Sequence, residues 1–347
     1  MTKKVAVALS GGVDSAVTAT ILKNEGYEVV GITGKMTCDS EADVVVKNAQ
    51  KVAEKLGIAH YVYDATVDFS KNVIDYFKNS YLSGNTPNPC IMCNKFIKWG
   101  CLFDYCINNL GVDYIATGHY ADIRYLDGYY KLYPALDENK DQLYFLFLLN
   151  QEKLSKTLFP LAKFRKSEVK ELAQKYDLPP KSAKESQDIC FIKAPMTTKK
   201  YLNSVIELKV GNFVEKSTGR ILGKHNGFWQ YTIGQRKGIG IAAPEPLYVV
   251  GIEANTNTVF VGNKNELFSK ELYINELTWS YPQEKDDFEA LVKIRYNMDA
   301  VKAVITRGLN RWKIDFDEPV SAITAGQACV LYDFNDGHLL GGGFITR

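Results

Sequence analysis

The 347-residue sequence contains no long apolar run, so no segment is a candidate transmembrane helix. No secretory leader is evident: Lys3-Lys4 leads straight into an apolar strand, and a cytoplasmic protein with no membrane partner is expected. Neither sign of charge is in excess, with 42 Lys and Arg against 40 Asp and Glu. A nucleic-acid partner would therefore need a local basic face rather than a basic whole. The cysteines number seven, an odd count that argues against a disulfide framework. In a reducing compartment, clustered thiols point instead to catalysis or metal binding. Histidine is scarce, and His60, His119, His225 and His338 form no metal-ligand pattern. There is no Gly-x-x-x-x-Gly-Lys-Ser/Thr loop, and no Gly-x-Gly-x-x-Gly follows the first strand. Walker-type and dinucleotide fingerprints are thereby excluded. Internal repeats and low-complexity tracts are also missing. The length and the 46% hydrophobic content suit two or three domains with a large core.

What is present begins at Val5, Val7 and Leu9, a buried-type strand running into Ser10-Gly11-Gly12-Val13-Asp14-Ser15. A helical pattern follows, with Val13, Val17 and Ile21 four residues apart. A glycine turn between a strand and a helix start suits phosphate, because close backbone approach, free N–H groups and the helix dipole all favour an anion. Ser10 and Ser15 add hydroxyl donors. Asp14, an anion in an anion site, is expected to help hold magnesium on the phosphates. The loop resembles the PP-loop of ATP pyrophosphatases, which split ATP into AMP and pyrophosphate and use AMP to activate a carbonyl oxygen. A purely structural strand–turn–helix is the plain alternative.

The first part of the chain alternates strand and helix. Strands are expected at Glu28 to Thr33, Ala59 to Tyr63 and Asp113 to Thr117. Asp39-Ser40 can cap a helix carrying Val45, Ala49, Val52 and Leu56 on one face. Further helices are expected over Val67 to Leu82, after Cys93, and over Ser167 to Tyr176, where Pro179-Pro180 stops the last. This is an α/β pattern with a doubly wound parallel sheet, whose ligands gather at the C-terminal strand ends. Ser10 to Ser15, Thr33 to Met36 and Gly118-His119 all fall there. After about residue 205 the texture turns to short alternating strands with turn signals, including a hairpin at Leu247 to Val250 and Val259 to Val261. The expected division is a catalytic domain over residues 1–200, a small β-rich central domain over 201–268 and a C-terminal β-barrel over 269–347.

Thr86-Pro87-Asn88-Pro89-Cys90-Ile91-Met92-Cys93-Asn94-Lys95 is the second strong feature. Its prolines hold the approach extended. Cys93 is expected at a helix start, where the dipole lowers a thiol pKa, with Asn94 and Lys95 adding a donor and a positive charge. The third feature is Glu185-Ser186-Gln187-Asp188-Ile189-Cys190-Phe191-Ile192. Alone, Cys-x-x-Cys fits zinc, redox or iron–sulfur chemistry, and Cys190 fits a buried small hydrophobe. Cys38, Cys101, Cys106 and Cys329 carry no motif. His119 is placed near the nucleotide, either on phosphate or in a satisfied hydrogen bond, and the other histidines are expected to be structural or solvated. Trp229-Gln230-Tyr231 and Gln235-Arg236-Lys237 mix rings with cations, which suits a loop that stacks unpaired bases.

Taken in order, these motifs with Ala116-Thr117-Gly118-His119-Tyr120, Lys140-Asp141-Gln142, Tyr231 to Gly238, Phe316 to Val320 and Gly341-Gly342-Gly343 resemble the tRNA-specific 2-thiouridylase family over essentially the whole chain. The resemblance implies an ATP-dependent sulfurtransferase acting on the wobble uridine of tRNAs reading Lys, Glu and Gln codons. It places ATP on Ala8, Leu9, Ser10, Gly11, Gly12, Val13, Asp14, Ser15, Gly34 and Gly118. The target base would lie beside Asn88, Pro89 and position 90, and tRNA would touch Lys140, Asp141, Gln142, Arg295 and Tyr296. Cys190 matches the persulfide carrier and Cys93 its partner nucleophile. A cysteine desulfurase or sulfur-relay protein is the implied donor.

Position 90 departs from the family pattern, where many members have Asp. Cys90 removes a candidate acid or base and creates a set of three cysteines with Cys93 and Cys190. Related PP-loop tRNA thiolases hold a four-iron, four-sulfur cluster on three cysteines, leaving one iron for sulfide. That route stands beside the persulfide route, with a zinc site on the same thiols as a weaker option and Cys90 as a neutral replacement as the plain one. Two other classes share features of the chain. Amide-forming PP-loop synthetases need an amine but no cysteine pair, and a non-catalytic RNA-binding cluster carrier would not need an intact Ser10 to Ser15 loop.

Overall fold

A computed structural model describes residues 2–179, 189–193, 195–283 and 285–346. The polar run Glu185 to Asp188 lies outside the described residues. Five parallel strands form the first sheet in the order β3-β2-β1-β4-β7. They are β1 (Lys4–Ala8), β2 (Glu28–Lys35), β3 (Ala59–Asp64), β4 (Tyr114–Ala116) and β7 (Thr157–Leu158). Helices α1 (Val13–Asn24) and α2 (Ser40–Leu56) cover one face, where Val17, Leu22 and Val52 pack on Val5, Val7 and Leu9. On the other face Trp99, Leu102 and Phe103 pack on Ala6, Ile32 and Ile115. Burial on both faces is why these strands read as near-continuous apolar runs. Asp39 caps α2 as expected, its Oδ1 accepting the N–H groups of Glu41 and Ala42 at 3.0 and 2.9 Å.

The helix expected over Val67 to Leu82 is present but interrupted. It runs as α3 (Thr66–Phe69), a π-helical turn over Ser70–Ile74 and α4 (Asp75–Leu82). A second π-helical stretch, Cys93–Cys101, lies between α5 (Pro89–Met92) and α6 (Leu102–Asn109). Such wide turns are rare and concentrate at functional sites. A hairpin of β5 (Asp122–Leu126) and β6 (Tyr129–Tyr133) follows β4, and α7 (Gln151–Ser155), α8 (Lys166–Lys175) and α9 (Thr198–Val205) complete this part.

The central sheet has the order β10-β11-β8-β9, from β8 (Gly211–Glu215), β9 (Ile221–His225), β10 (Tyr248–Glu253) and β11 (Thr258–Gly262). The β10–β11 pair is the hairpin expected from the sequence. Trp229 and Tyr231 are only 4% and 6% exposed, in a core with Phe213, Val249 and Val259. This corrects the base-stacking expectation for those rings: buried in apolar contact, they have no face to offer a base, whereas Arg236 and Lys237 remain exposed.

The last sheet contains β12 (Phe268–Ile274), β13 (Thr278–Trp279), β14 (Asp287–Lys293), β15 (Val301–Arg307), β16 (Trp312–Ser321), β17 (Ala328–Tyr332) and β18 (Leu339–Thr346). Its order is β12-β16-β15-β14-β17-β18-β13, and a further β12–β18 pairing closes it into a barrel with β13 appended. The Gly341-Gly342-Gly343 run lies in β18, where a Cβ on Gly341 would fall 2.2 Å from the Thr278 carbonyl oxygen. The barrel is tied to the first domain through Tyr144 Oη, which donates to the Ala328 carbonyl at 2.9 Å. Thr86 makes two more ties: its N–H donates to the Ala325 carbonyl at 2.8 Å, and its carbonyl accepts from Gln327 Nε2 at 2.7 Å.

Candidate active site

The turn after β1 is built by its own hydroxyls. Ser15 Oγ donates to the Gly12 carbonyl at 3.0 Å and accepts the Ser10 N–H at 3.2 Å. Gly11 has φ +72°, and a Cβ there would sit 2.8 Å from Asn48 Cβ, so both conformation and space call for glycine. Gly12 stands at the N-cap of α1 with no side-chain cap, leaving the first N–H groups of the helix open to an anion. Gly118, at the end of β4, closes over this turn: a Cβ on it would lie 2.9 Å from Asp14 Cβ and 3.1 Å from the Ser15 nitrogen. Ala8 ends β1, Leu9 accepts Thr33 Oγ1 through its carbonyl at 2.8 Å, and Gly34 lies near the end of β2. The sheet thus brings the residues expected to hold ATP to one set of strand ends.

Asp14 has partners that its sequence motif does not signal. Lys166 Nζ donates to its Oδ1 and Oδ2 at 2.6 and 2.7 Å, and Tyr120 Oη donates to Oδ1 at 3.2 Å. The magnesium role expected of Asp14 does not fit this arrangement. Both carboxylate oxygens already face an ammonium, and the positive charge beside the phosphate turn is that of Lys166.

Asn88 caps the cysteine turn: its Oδ1 accepts the Cys90 N–H at 3.2 Å, and buried Pro89 opens the helix. Cys90 therefore lies in the first turn, and Cys93 follows at its end. This corrects the expectation that the dipole lowers the Cys93 thiol. Burial dominates and pushes it up to about 12, although Lys98 pulls it down. Burial also raises the Cys90 and Cys190 thiols, again against Lys98, with Lys193 helping at Cys190. The charges of Cys90 and Cys190 act on Cys93, so the three cysteines share one neighbourhood. Cys90 and Cys190 keep part of their surface open to solvent while surrounding protein desolvates their sulfurs, and all three are free thiols. Their sulfurs do not gather within 4.8 Å of one another, so as placed they are not a compact site for a single zinc ion.

Asn94 and Lys95 do not serve the thiol as expected. Asn94 is buried and spends Nδ2 on the Phe145 carbonyl at 3.0 Å, while Lys95 lies 5.1 Å over the exposed ring of Phe96. The cation facing the thiols is Lys98. It is five residues after Cys93, the spacing that a π-helical i→i+5 pattern brings together and an α-helical reading misses. Lys98 Nζ also lies 3.3 Å from His119 Nε2, and His119 Nδ1 lies 2.7 Å from Thr117 Oγ1. Burial holds His119 well below the usual imidazole range, with Lys98 adding to the effect. His119 is therefore neutral and sits in satisfied hydrogen bonds.

The Cys190 segment is held from both sides. Phe191 packs edge-on against Phe69 and Phe77, at 5.9 and 5.3 Å between ring centroids. Lys193 reaches Asp39 Oδ1 and Glu41 Oε2, each at 3.0 Å, at the start of α2.

Of the residues expected to meet tRNA, Lys140, Asp141 and Tyr296 lie near one another, away from Asn88, Pro89 and Cys90 in the sequence. Tyr296 packs against Phe145 with ring centroids 4.7 Å apart and planes tilted by 40°, and it feels the charges of Asp141 and Lys140. Arg295 donates to the Ser321 carbonyl at 3.0 Å. Asp141 accepts the N–H groups of Ala135 and Leu143, both at 3.3 Å, and Gln142 Oε1 accepts the Tyr120 N–H at 3.0 Å. The two side chains after Lys140 thus shape the loop from within.

Three family models match in series: a tRNA methyl transferase HUP domain over residues 3–194, a tRNA methyl transferase PRC-barrel domain over 199–263 and an aminomethyltransferase β-barrel domain over 269–345. The chain is similar to the tRNA-specific 2-thiouridylase MnmA of Carboxydothermus hydrogenoformans, at 45% identity over 99% of this chain and 98% of that one. It is 44% identical to the MnmA of Gloeothece citriformis, over 99% of each chain. Among solved structures, the U34-tRNA thiolase NcsA of Methanococcus maripaludis with its [4Fe-4S] cluster matches at 23% identity and a TM-score of 0.36, over 55% of this chain and 61% of that one. Identity above two-fifths over nearly the full length of both chains places this protein, with its strand-end phosphate turn and neighbouring thiols, in the family of tRNA-specific 2-thiouridylases.

Proposed function

We propose that this protein replaces the 2-oxygen of the wobble uridine in tRNAs reading Lys, Glu and Gln codons with sulfur, using ATP. The observation that carries this reading is the meeting of two chemistries at one set of strand ends. Gly118 lies on the Ser10 to Ser15 turn, and the next residue, His119, touches Lys98 beside the three thiols. Ser10 to Ser15 bind the triphosphate. The uridine 2-oxygen attacks the α-phosphorus, pyrophosphate leaves, and C2 now carries AMP as a leaving group. A desulfurase or relay protein loads sulfur as a persulfide on Cys190. Its terminal sulfur attacks C2, and the C2–O bond breaks with its electron pair going to AMP. Cys93 then attacks the Cys190 sulfur, the S–S bond breaks toward the nucleoside, and a Cys93–Cys190 disulfide forms. An external dithiol returns the two electrons. Lys140 and the Arg295–Tyr296 surface receive the anticodon arm. The cytoplasm is where the tRNA, ATP and donor are available.

A second sulfur route rests on Cys90, whose charge acts on both Cys93 and Cys190. Three soft thiols in one neighbourhood suit a four-iron, four-sulfur cluster held by Cys90, Cys93 and Cys190, which would supply an iron for sulfide.

The test follows AMP, pyrophosphate and 2-thiouridine after mixing protein, tRNA, ATP and a persulfide donor. Equal release of AMP and pyrophosphate with matching thiouridine is expected, and Cys93→Ser and Cys190→Ser each abolish the thiouridine. Nucleotide turnover without sulfur would favour an amide-forming enzyme. No turnover at all would favour a non-catalytic binder. Iron and acid-labile sulfide on protein purified without oxygen separate the two sulfur routes: about four of each per chain, lost in Cys90→Ala, means the cluster.

A further inference from the structure

Lys98 is absent from every motif in the sequence, yet it stands where the two halves of the site meet. Its Nζ lies 3.3 Å from His119 Nε2. A neutral imidazole next to an ammonium must accept there, so His119 carries its proton on Nδ1 and donates to Thr117 Oγ1 at 2.7 Å. The ring is locked in place by Trp99 at 5.4 Å and Phe159 at 5.9 Å. Trp99 is fixed in turn by its Nε1, which donates to Thr157 Oγ1 at 2.8 Å. His119 is thus a rigid acceptor on β4's end, immediately after the glycine that touches Asp14 and Ser15. One donor of the Lys98 ammonium is spent on it, and among the described residues the other two have no hydrogen-bond partner. Lys98 shares the helical stretch that begins at Cys93, and the thiols of Cys90, Cys93 and Cys190 each feel its charge.

We infer that Lys98, positioned by His119, is the cation of the sulfur-transfer step and stabilises the negative charge that collects on AMP as sulfur displaces it from C2. This rests on the reaction proposed above and assigns a residue to its second half. As the sulfur–C2 bond forms and the C2–O bond breaks, the electron pair moves onto a phosphate oxygen of AMP. A preorganised ammonium near that oxygen favours the transition state more than the adenylated ground state, which carries one negative charge fewer. Adenylation sends its charge to pyrophosphate instead, on the side held by the Ser10 to Ser15 turn, and depends less on Lys98.

The experiment is a single turnover with α-labelled ATP, tRNA and persulfide donor, comparing the full-length protein with Lys98→Met, Lys98→Arg and His119→Gln. Pyrophosphate, AMP and thiouridine are followed separately. For Lys98→Met, thiouridine formation should slow on the order of 100-fold. Pyrophosphate release should stay within about threefold of wild type, so that labelled adenylate accumulates on tRNA. Lys98→Arg restores part of the sulfur step by keeping the charge, and His119→Gln shows a smaller loss confined to that step. Thiouridine from Lys98→Met within about threefold of wild type overturns the inference. So does a parallel loss of pyrophosphate and thiouridine in both Lys98 variants, which would make the residue structural. A wild-type protein that makes no thiouridine overturns the proposed function instead.

Discussion

Lys166 donates to both carboxylate oxygens of Asp14, at 2.6 and 2.7 Å, so the acid of the phosphate turn is already paired with a base from α8. The Lys166 side chain is only 11% exposed. ATP brings far more negative charge than one carboxylate, and an ammonium at this spot serves both. Lys166→Met should therefore weaken ATP binding: the rise in melting temperature on adding ATP shrinks, and the KM for ATP in pyrophosphate release rises at least about tenfold, the worth of one charge-assisted hydrogen bond. An unchanged KM and an unchanged ATP-dependent melt would reduce the pair to a structural salt bridge.

Asp141 provides a test by pH. Burial raises its carboxyl to about 6, although the Ala135 and Leu143 N–H groups lower it. The folded protein therefore holds a proton that the unfolded chain gives up near pH 4. Between about pH 4 and 6 the folded state binds more protons, so stability falls as pH rises through that window. Asp141→Asn, neutral throughout, should flatten this part of the stability profile measured by urea unfolding. A parallel profile in the variant would show that the carboxyl is ionised on folding.

Much of the first domain is legible in the sequence because period and punctuation agree. The Val5-Val7-Leu9 strand, the Asp39 cap and the Gly11-Gly12 turn each have a local cause, and local causes survive folding. The closed barrel is expected only through resemblance, because short strands do not announce which partners they take. Lys98 and Lys166 escape the sequence for different reasons. Lys98 follows Cys93 by five residues in a stretch of π-type bonding that breaks at Gly100, which no simple periodicity signals. Lys166 lies 152 residues from Asp14, and no spacing rule reaches that far. For Cys93, helix position speaks in the sequence and burial does not, yet burial is the larger effect. The rings of Trp229 and Tyr231 look the same in sequence whether they stack on a base or fill a core.

The bridge from Lys193 to Asp39 and Glu41 anchors the segment carrying Cys190 to the start of α2. Backbone N–H bonding from Ala42, followed by Lys193, holds the Asp39 carboxyl down at about 2. The sign is that of a depressed acid: its stabilisation is complete above about pH 4 and is lost as pH falls through 2. At neutral pH the clasp is intact, and Lys193→Met removes it. Loss of the Lys193 charge by itself raises the Cys190 thiol and slows its reaction, so alkylation is compared per thiolate: on that scale Cys190 should react a few-fold faster than in wild type, with little change in melting temperature, as befits a partly exposed ion pair. Equal alkylation rates per thiolate would mean that the Phe191 packing alone positions the thiol.

Gly118, two residues beyond β4, lies against the phosphate turn, and its substitution tests the site with the smallest possible change. A methyl group there would meet Asp14 Cβ at 2.9 Å, the Asp14 carbonyl carbon at 3.0 Å and the Ser15 nitrogen at 3.1 Å. Two of these are backbone atoms of the first turn of α1, so the clash cannot be relieved by rotating a flexible side chain. Either β4's end or the helix start must move. Gly118→Ala should cost about 1–3 kcal/mol of stability, as overpacking does in a tight site. It should also displace the N–H groups that receive the triphosphate, because the same atoms carry both roles. Adenylation should therefore fall on the order of 100-fold, well beyond what the lost stability explains at 25 °C. Pyrophosphate release measured far below the melting temperature separates the two effects. A variant that melts earlier but adenylates normally would show that the turn tolerates the shift and that Gly118 serves packing alone.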